Sequence, residues 1–210
     1  MHLDHVFVLC DVGAPEARAL TAIGLREGPP NAHPGQGTAC RRFFFEDVYL
    51  ELLWVTDEAE ARSPLVAKTR LWERWSGRHG PCSPFGLVLR ADAGDASCPW
   101  VTWAYRPSWL RSDASIAFAA HAPLDEPAII VLPPAASPAQ APAQHSVMRL
   151  EAISCTCADA HRLSAAARAL ARMGIVTFDT SPSPELRLTF AAGGSDIVDL
   201  RPTMPIVLCW

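Results

Sequence analysis

The sequence pattern predicts the same order of secondary-structure elements in two parts of the chain. This repeat constrains the fold more than any other feature. In each half a strand is followed by a helix that ends near a glycine, and then by three further strands. Residues 3–6 (LDHV) open the first half and residues 150–153 (LEAI) open the second. Because one such unit cannot cover its own sheet, we expect the two copies to share one core.

The repeat divides the chain into four segments. A first βαβββ-type module covers residues 1–56, and a second covers residues 148–210. Residues 57–132 contain a helix and short inserted strands, interpreted as hairpins that complete the sheet. Residues 133–147 are rich in proline and alanine, which is typical of a linker. The pattern predicts an α+β fold.

The composition excludes several classes of protein. Half of the residues are hydrophobic and 19% are charged, so a substantial core can form. The formal net charge of -4 argues against a nucleic-acid groove. No apolar run is long enough for a membrane-spanning helix, and Asp4 interrupts the first apolar run, unlike a signal peptide. We expect a cytoplasmic protein that binds a small molecule, with neither nucleic acid nor membrane as a partner.

Glu51 is a charged residue within an otherwise apolar strand, residues 49–55 (YLELLWV). Alternation along a strand places Glu51 on one face with Tyr49 and Leu53, and this face is expected to look inward. A buried carboxylate without a partner is costly. Glu51 therefore needs a metal, an arginine, a histidine or water beside it.

Two further residues are candidate partners in such a site. His5 is predicted to share a strand face with Leu3 and Phe7, where an imidazole and a carboxylate together would suit Zn, Fe, Mn or Ni. The alternative is a core histidine that only forms hydrogen bonds. Asp199 shares a face with Arg201, so a local ion pair competes with metal ligation there.

Four residues are candidates for ligand binding. His33 lies in a loop dense in glycine and proline, residues 28–38, which is either a lid over a pocket or a surface turn. Trp103, Tyr105 and Arg106 lie in the inserted segment, where an aromatic strand with an arginine could line an apolar pocket and hold a carboxylate. The alternative for these three is an ordinary half-buried strand.

Several pieces of the sequence together resemble the glyoxalase-like group of the vicinal-oxygen-chelate superfamily. The pieces are residues 3–9 (LDHVFVL), 33–38 (HPGQGT), 49–55 (YLELLWV) and 103–110 (WAYRPSWL). The resemblance implies two βαβββ modules that form an incomplete β-barrel around a cavity. It also implies a divalent metal held by one residue from the first strand and one carboxylate from the last strand of each module.

Carried over by position, the four metal-ligand positions are His5, Glu51, Ala152 and Asp199. The side chain of Ala152 cannot bind a metal, so the resemblance implies at most a site with three ligands. It implies one divalent ion, Zn, Mn, Fe or Ni, or none. With a metal, the expected chemistry is that of a lyase or isomerase acting on a small oxygenated metabolite, with Glu51 as the catalytic base.

The alternative function is a metal-free protein that sequesters a small molecule, because the fold alone does not decide between catalysis and binding. A homodimer is a further expectation. The apolar C-terminal tail, residues 205–210, would be its contact surface.

Overall fold

A computed structural model describes residues 1–92, 98–133, 148–191 and 196–210. The predicted linker, residues 133–147, lies outside the described residues except for Pro133. Within the described ranges, no helix has the length and apolar character needed to cross a membrane.

Residues 1–132 contribute eight strands to one mixed sheet. The first four strands are β1 (His2–Leu9), β2 (Asn31–His33), β3 (Thr38–Phe44) and β4 (Tyr49–Val55). The other four are β5 (Phe85–Arg90), β6 (Thr102–Tyr105), β7 (Ile116–Ala119) and β8 (Ala128–Leu132). Helix α1 (Ala17–Ala22) follows β1, and α2 (Glu58–Ala61), a 3₁₀ turn (Ala67–Thr69) and α3 (Leu71–Ser76) follow β4.

The strand order divides this sheet into two halves of four strands. The order is β2-β3-β4-β1-β5-β8-β7-β6, and the halves join where β1 runs antiparallel to β5. In each half the first and last strands are parallel neighbours, β1 with β4 and β5 with β8. The unit paired with the first module is therefore residues 85–132, and the expectation that residues 148–210 supply this partner is wrong. Period-2 alternation marks a strand but does not identify its distant neighbour.

Residues 149–209 form a second, five-stranded sheet. Its elements are β9 (Arg149–Cys157), a 3₁₀ turn (Ala160–Arg162), α4 (Ala165–Arg172), β10 (Thr177–Thr180), β11 (Leu186–Ala191), β12 (Ile197–Asp199) and β13 (Ile206–Cys209). The order is β10-β9-β11-β13-β12, and parallel and antiparallel pairs alternate as they do along β4-β1-β5-β8-β7. This sheet repeats the pairing pattern at the centre of the larger one and does not reproduce the strand order of the first module, β2-β3-β4-β1.

The architecture confirms an α+β fold with two mixed sheets, of eight and five strands. Within the described residues the edge strands β2 and β6 are not paired with each other, so the larger sheet is open and not a closed barrel. The tail strand β13 lies inside the second sheet, where Ile206, Val207 and Leu208 are buried. The tail therefore packs within its own chain and does not offer the contact surface expected for a homodimer. The homodimer itself stays a prediction.

The larger sheet has a different core on each face. Val6, Leu50 and Leu87 belong to a cluster that continues to Leu170 of α4 and Leu186 of β11 in the second sheet. The opposite face carries a separate, smaller apolar cluster around Phe7, Val88, Phe118 and Ile130. This second face also carries the cavity described below.

Candidate functional site

A cavity of about 480 Å³ opens on the second face of the eight-stranded sheet. This volume lies within the range of ordinary small-molecule sites. The first half of the sheet supplies most of the polar lining, which includes Asp4, His5, His33, Arg42 and Glu51. The second half supplies a mainly apolar and aromatic lining, which includes Val88, Tyr105, Trp109, Ile116, Phe118, Ile130 and Leu132, and Leu71 of α3 adds to it.

His5 and Glu51 lie together at the polar end of the cavity. Because β1 and β4 are parallel neighbours, His5 is opposite Tyr49 and Phe7 is opposite Glu51. His5 Nε2 lies 3.3 Å from Glu51 Oε2, and the two residues are only 7% and 6% exposed. The imidazole also stacks on the Tyr49 ring, with centroids 4.3 Å apart and planes 16° from parallel. The sequence-based expectation that both side chains point inward and meet agrees with this geometry.

A β-bulge at Asp4 sets the direction of the His5 side chain. The β1–β5 register shifts between Leu3 and His5, which leaves Asp4 as the extra residue. Asp4 and His5 both line the cavity, whereas Leu3 packs on the opposite core together with Val6. The predicted shared face of His5 and Leu3 is therefore wrong, because a bulge breaks the alternation on which that prediction rested.

The bulge also completes a row of alternating charges. Asp4 Oδ1 lies 2.7 Å from His5 Nδ1, and Arg90 Nε donates to Asp4 Oδ2 over 2.8 Å. The row thus runs Arg90, Asp4, His5, Glu51. Carboxylates on both ring nitrogens favour the protonated imidazole and fix its orientation.

Burial and these contacts shift the pKa values of the ionisable groups at the polar end of the cavity. Burial alone would raise the pKa of Glu51, but the hydrogen bond and charge of His5 outweigh burial and lower it to about 2. Burial alone would lower the pKa of His5, but its bonds to Asp4 and Glu51 outweigh burial and raise it. Burial lowers the pKa of His33. The contacts therefore favour the ionised carboxylate of Glu51 and the protonated imidazole of His5, and burial favours the neutral imidazole of His33.

His33 is the last residue of β2, a strand within the predicted loop of residues 28–38, and the turn that follows it is tightly held. Gly37 has a φ of +69°, and a Cβ on it would come within 2.3 Å of the Asp57 carbonyl oxygen. Gly35 donates its backbone N–H to Glu60 Oε2 at 2.8 Å. His33 Nδ1 lies 3.0 Å from Thr38 Oγ1. The loop is thus a packed part of the cavity wall.

His33, Cys40 and Glu51 could hold a metal ion. One ligand atom from each residue lies within 4.8 Å of the other two. Burial, together with the charge of Glu51, raises the pKa of the Cys40 thiol. Cys40 was not predicted as a site residue from the sequence. The signal was available, because alternation along β3 places Cys40 and Arg42 on one face, and Arg42 pairs with Glu51 in the β3–β4 register.

Asp199 does not join this group. It lies in β12 of the smaller sheet, is exposed, and accepts a hydrogen bond from Arg201 Nε at 2.8 Å. Hydrogen bonds from Arg201 lower the pKa of Asp199 to about 2. Strand β12 occupies the place of β7 in the larger sheet, whereas β10 occupies the place of β4. The match between Asp199 and Glu51 is therefore wrong, and the local ion pair is the interpretation that agrees with the structure.

Of the four ligand-binding candidates, two line the cavity and two lie outside its lining. Tyr105 lines the cavity, as does His33. Trp103 is not among the lining residues. It stacks on Phe118 with centroids 5.1 Å apart, and Lys68 Nζ lies 4.6 Å from its ring centroid. Arg106 is exposed and also lies outside the cavity lining.

Comparisons with known proteins agree with this fold. The family model described as Glyoxalase-like domain matches residues 3–122. A hypothetical protein from Staphylococcus aureus has a similar structure, with a TM-score of 0.51 and 10% identity, over 99% of this chain and 98% of that chain. This similarity concerns the fold alone.

Two further solved structures from Streptomyces coelicolor have lower TM-scores. A variant of methylmalonyl-CoA epimerase in complex with 2-nitronate-propionyl-CoA has a TM-score of 0.43 and 15% identity, over 67% of this chain and 99% of that chain. A mutant of 4-hydroxymandelate synthase has a TM-score of 0.48 and 12% identity, over 93% of this chain and 72% of that chain. A comparison with curated protein sequences finds no match.

Proposed function

Since the chain belongs to the Glyoxalase-like domain family, we propose that its cavity binds a small oxygenated metabolite and catalyses metal-assisted proton transfer, of the lyase or isomerase kind. The observation that carries this proposal is the buried pair of His5 and Glu51 at 3.3 Å, which faces the cavity. Acid and base groups held together in a cavity suit proton transfer to and from a bound ligand.

The donor atoms beside this pair are suited to a divalent ion. His33, Cys40 and Glu51 offer nitrogen, sulfur and oxygen, a set that zinc accepts, and three protein ligands leave a position open for a ligand oxygen. The resemblance also allows Mn, Fe or Ni. When bound, such an ion would polarise that oxygen as a Lewis acid.

The chain's own residues supply the proton chemistry in this proposal. Glu51, whose pKa is lowered, would accept a proton from the ligand, and His5, whose pKa is raised, would hold a proton on the side that faces Glu51. Asp4 and Tyr49 keep the imidazole in place by a hydrogen bond and by stacking. The apolar lining from the second half of the sheet would exclude water and so strengthen these electrostatic interactions.

Titration of the purified protein with Co²⁺ tests the metal part of the proposal. We expect one ion per chain and an absorption band characteristic of cysteine ligation. The variants Glu51→Gln, His33→Ala and Cys40→Ala should each weaken binding by at least about tenfold. Asp199→Asn is the matched control and should bind Co²⁺ as the unaltered protein does, because Asp199 lies in the other sheet. Equal loss in all four variants would contradict this set of ligands.

A metal-free binding protein is the second candidate, and one observation favours it. Glu51 already has His5 as a partner, and the cavity-facing residues of β5 and β8 (Val88, Arg90, Ile130 and Leu132) include no metal ligand. A protein that takes up no Co²⁺, Zn²⁺, Mn²⁺ or Ni²⁺ but still binds a small aromatic molecule would favour sequestration over catalysis.

A further inference from the structure

The charged side chains of the cavity are paired with one exception. Asp4 is bonded to both Arg90 and His5, and Glu51 is paired with His5. Arg42 is the other charged residue in the lining, and it has no carboxylate partner among the described residues. The cavity therefore contains one positive charge that no carboxylate of the described residues balances.

The contacts of Arg42 fix the position of its guanidinium at the cavity wall. Arg42 pairs with Glu51 across β3 and β4, so both residues belong to the same face of the sheet. Its guanidinium nevertheless turns to the loop, where Nε donates to the Pro29 carbonyl oxygen at 3.0 Å. The guanidinium carbon lies 5.5 Å from the centroid of the Phe44 ring.

These contacts hold the guanidinium in place but leave its two terminal nitrogens, Nη1 and Nη2, available to bind a ligand. In the part of the chain that the structure describes, no hydrogen bond to either Nη atom of Arg42 is found. A guanidinium held through Nε can present both Nη groups to one planar anion, and a carboxylate matches that geometry. Arg90 cannot serve in the same way, because its Nε and Nη2 both donate to Asp4.

We propose that the cavity binds a small aromatic monocarboxylate, with its carboxylate on Arg42 and its ring against the apolar half of the lining. Phe118, Ile130 and Trp109 supply that apolar surface. This inference names a substrate class for the function proposed above. It rests on that proposal in one respect, namely that the cavity is the ligand site. Arg42 thereby takes the role that the sequence analysis assigned to Arg106.

Phenylacetate and its neutral analogue phenylacetamide test this assignment, with binding measured by isothermal titration calorimetry. The unaltered protein should bind phenylacetate at least about tenfold more tightly, because a carboxylate accepts charge-assisted hydrogen bonds from the guanidinium and a neutral amide does not pair with its charge. Arg42→Gln should remove this preference. Arg42→Lys should retain a part of it, since lysine keeps the charge but not the planar fork.

Arg106→Gln is the matched control, because Arg106 is exposed and outside the cavity. It should keep the full preference for phenylacetate. Equal binding of the two probes by the unaltered protein, binding of neither, or a preference that survives in Arg42→Gln would each overturn the inference.

Co²⁺ titration of the same variants separates this outcome from failure of the proposed function. Arg42→Gln should still bind Co²⁺, because Arg42 is not among the three candidate ligands. Loss of the carboxylate preference with normal Co²⁺ binding supports the inference. Normal Co²⁺ binding without any carboxylate preference in the unaltered protein overturns the inference and leaves the metal proposal standing.

Discussion

The two halves of the eight-stranded sheet share one strand order but differ in chemistry. In the first half, the neighbouring strands β1 and β4 present His5 and Glu51 to the cavity. In the second half, the neighbouring strands β5 and β8 present Val88 and Ile130. A duplicated framework therefore need not carry duplicated function, because the site depends on particular side chains and not on the fold. Here one half supplies most of the charges and the other supplies the apolar surface.

Removal of one member of the buried pair should have the largest effect on stability. His5→Ala leaves Glu51 with an uncompensated buried charge, which typically costs about 3–5 kcal/mol. The free energy of unfolding, measured by urea denaturation, should fall by about that amount.

The double variant His5→Leu with Glu51→Ile is the control, since it replaces both members of the buried pair by apolar residues. Replacing a buried ion pair by apolar residues of similar volume is often neutral or stabilising. The double variant should therefore be more stable than His5→Ala, and it should not bind Co²⁺. If it were as unstable as His5→Ala, the pair would not be the cause of the loss.

A change at the contact between the halves should have an intermediate effect. A Cβ on Gly86 in β5 would lie 2.0 Å from the ring of Phe7 in β1, so Gly86→Ala overpacks this contact. The expected loss is about 1–3 kcal/mol in the free energy of unfolding, measured by chemical denaturation.

The second variant for this contact is Phe7→Leu combined with Gly86→Ala. Because the smaller leucine makes room for the new methyl group, the two changes should couple favourably in a double-mutant cycle. Strictly additive effects would mean that the Phe7 ring does not limit position 86.

The smallest effect is expected from the stacking of His5 on Tyr49 within the first half. Tyr49→Leu removes an aromatic contact with a centroid distance of 4.3 Å, and such pairs contribute about 0.5–1.5 kcal/mol. The midpoint of thermal unfolding should fall slightly. Tyr49→Phe keeps the ring and should preserve most of the stability, so equal losses in both variants would assign the effect to the hydroxyl group instead.

Much of the candidate site could be predicted from local pattern. Alternation correctly placed Tyr49, Glu51 and Leu53 on the cavity side of β4, because regular strands have a strict period of two. It failed at Leu3, where the bulge at Asp4 interrupts the period. The match of Asp199 with Glu51 rests on counting positions in the sequence repeat. It fails because the strands of the second sheet are not arranged as those of the first module are.

The sequence by itself determined most of the helices and strands, the α+β class, and the inward direction of His5 and Glu51, but it missed β2 within residues 28–38. These are local properties, because they depend on the period of hydrophobic side chains and on the cost of burying an unpaired charge. Only the tertiary structure decided which strands are neighbours. It thereby paired residues 85–132 with the first module and left Arg42 without a carboxylate partner among the described residues. Strand pairing joins residues far apart in the chain, and no local pattern specifies the partner.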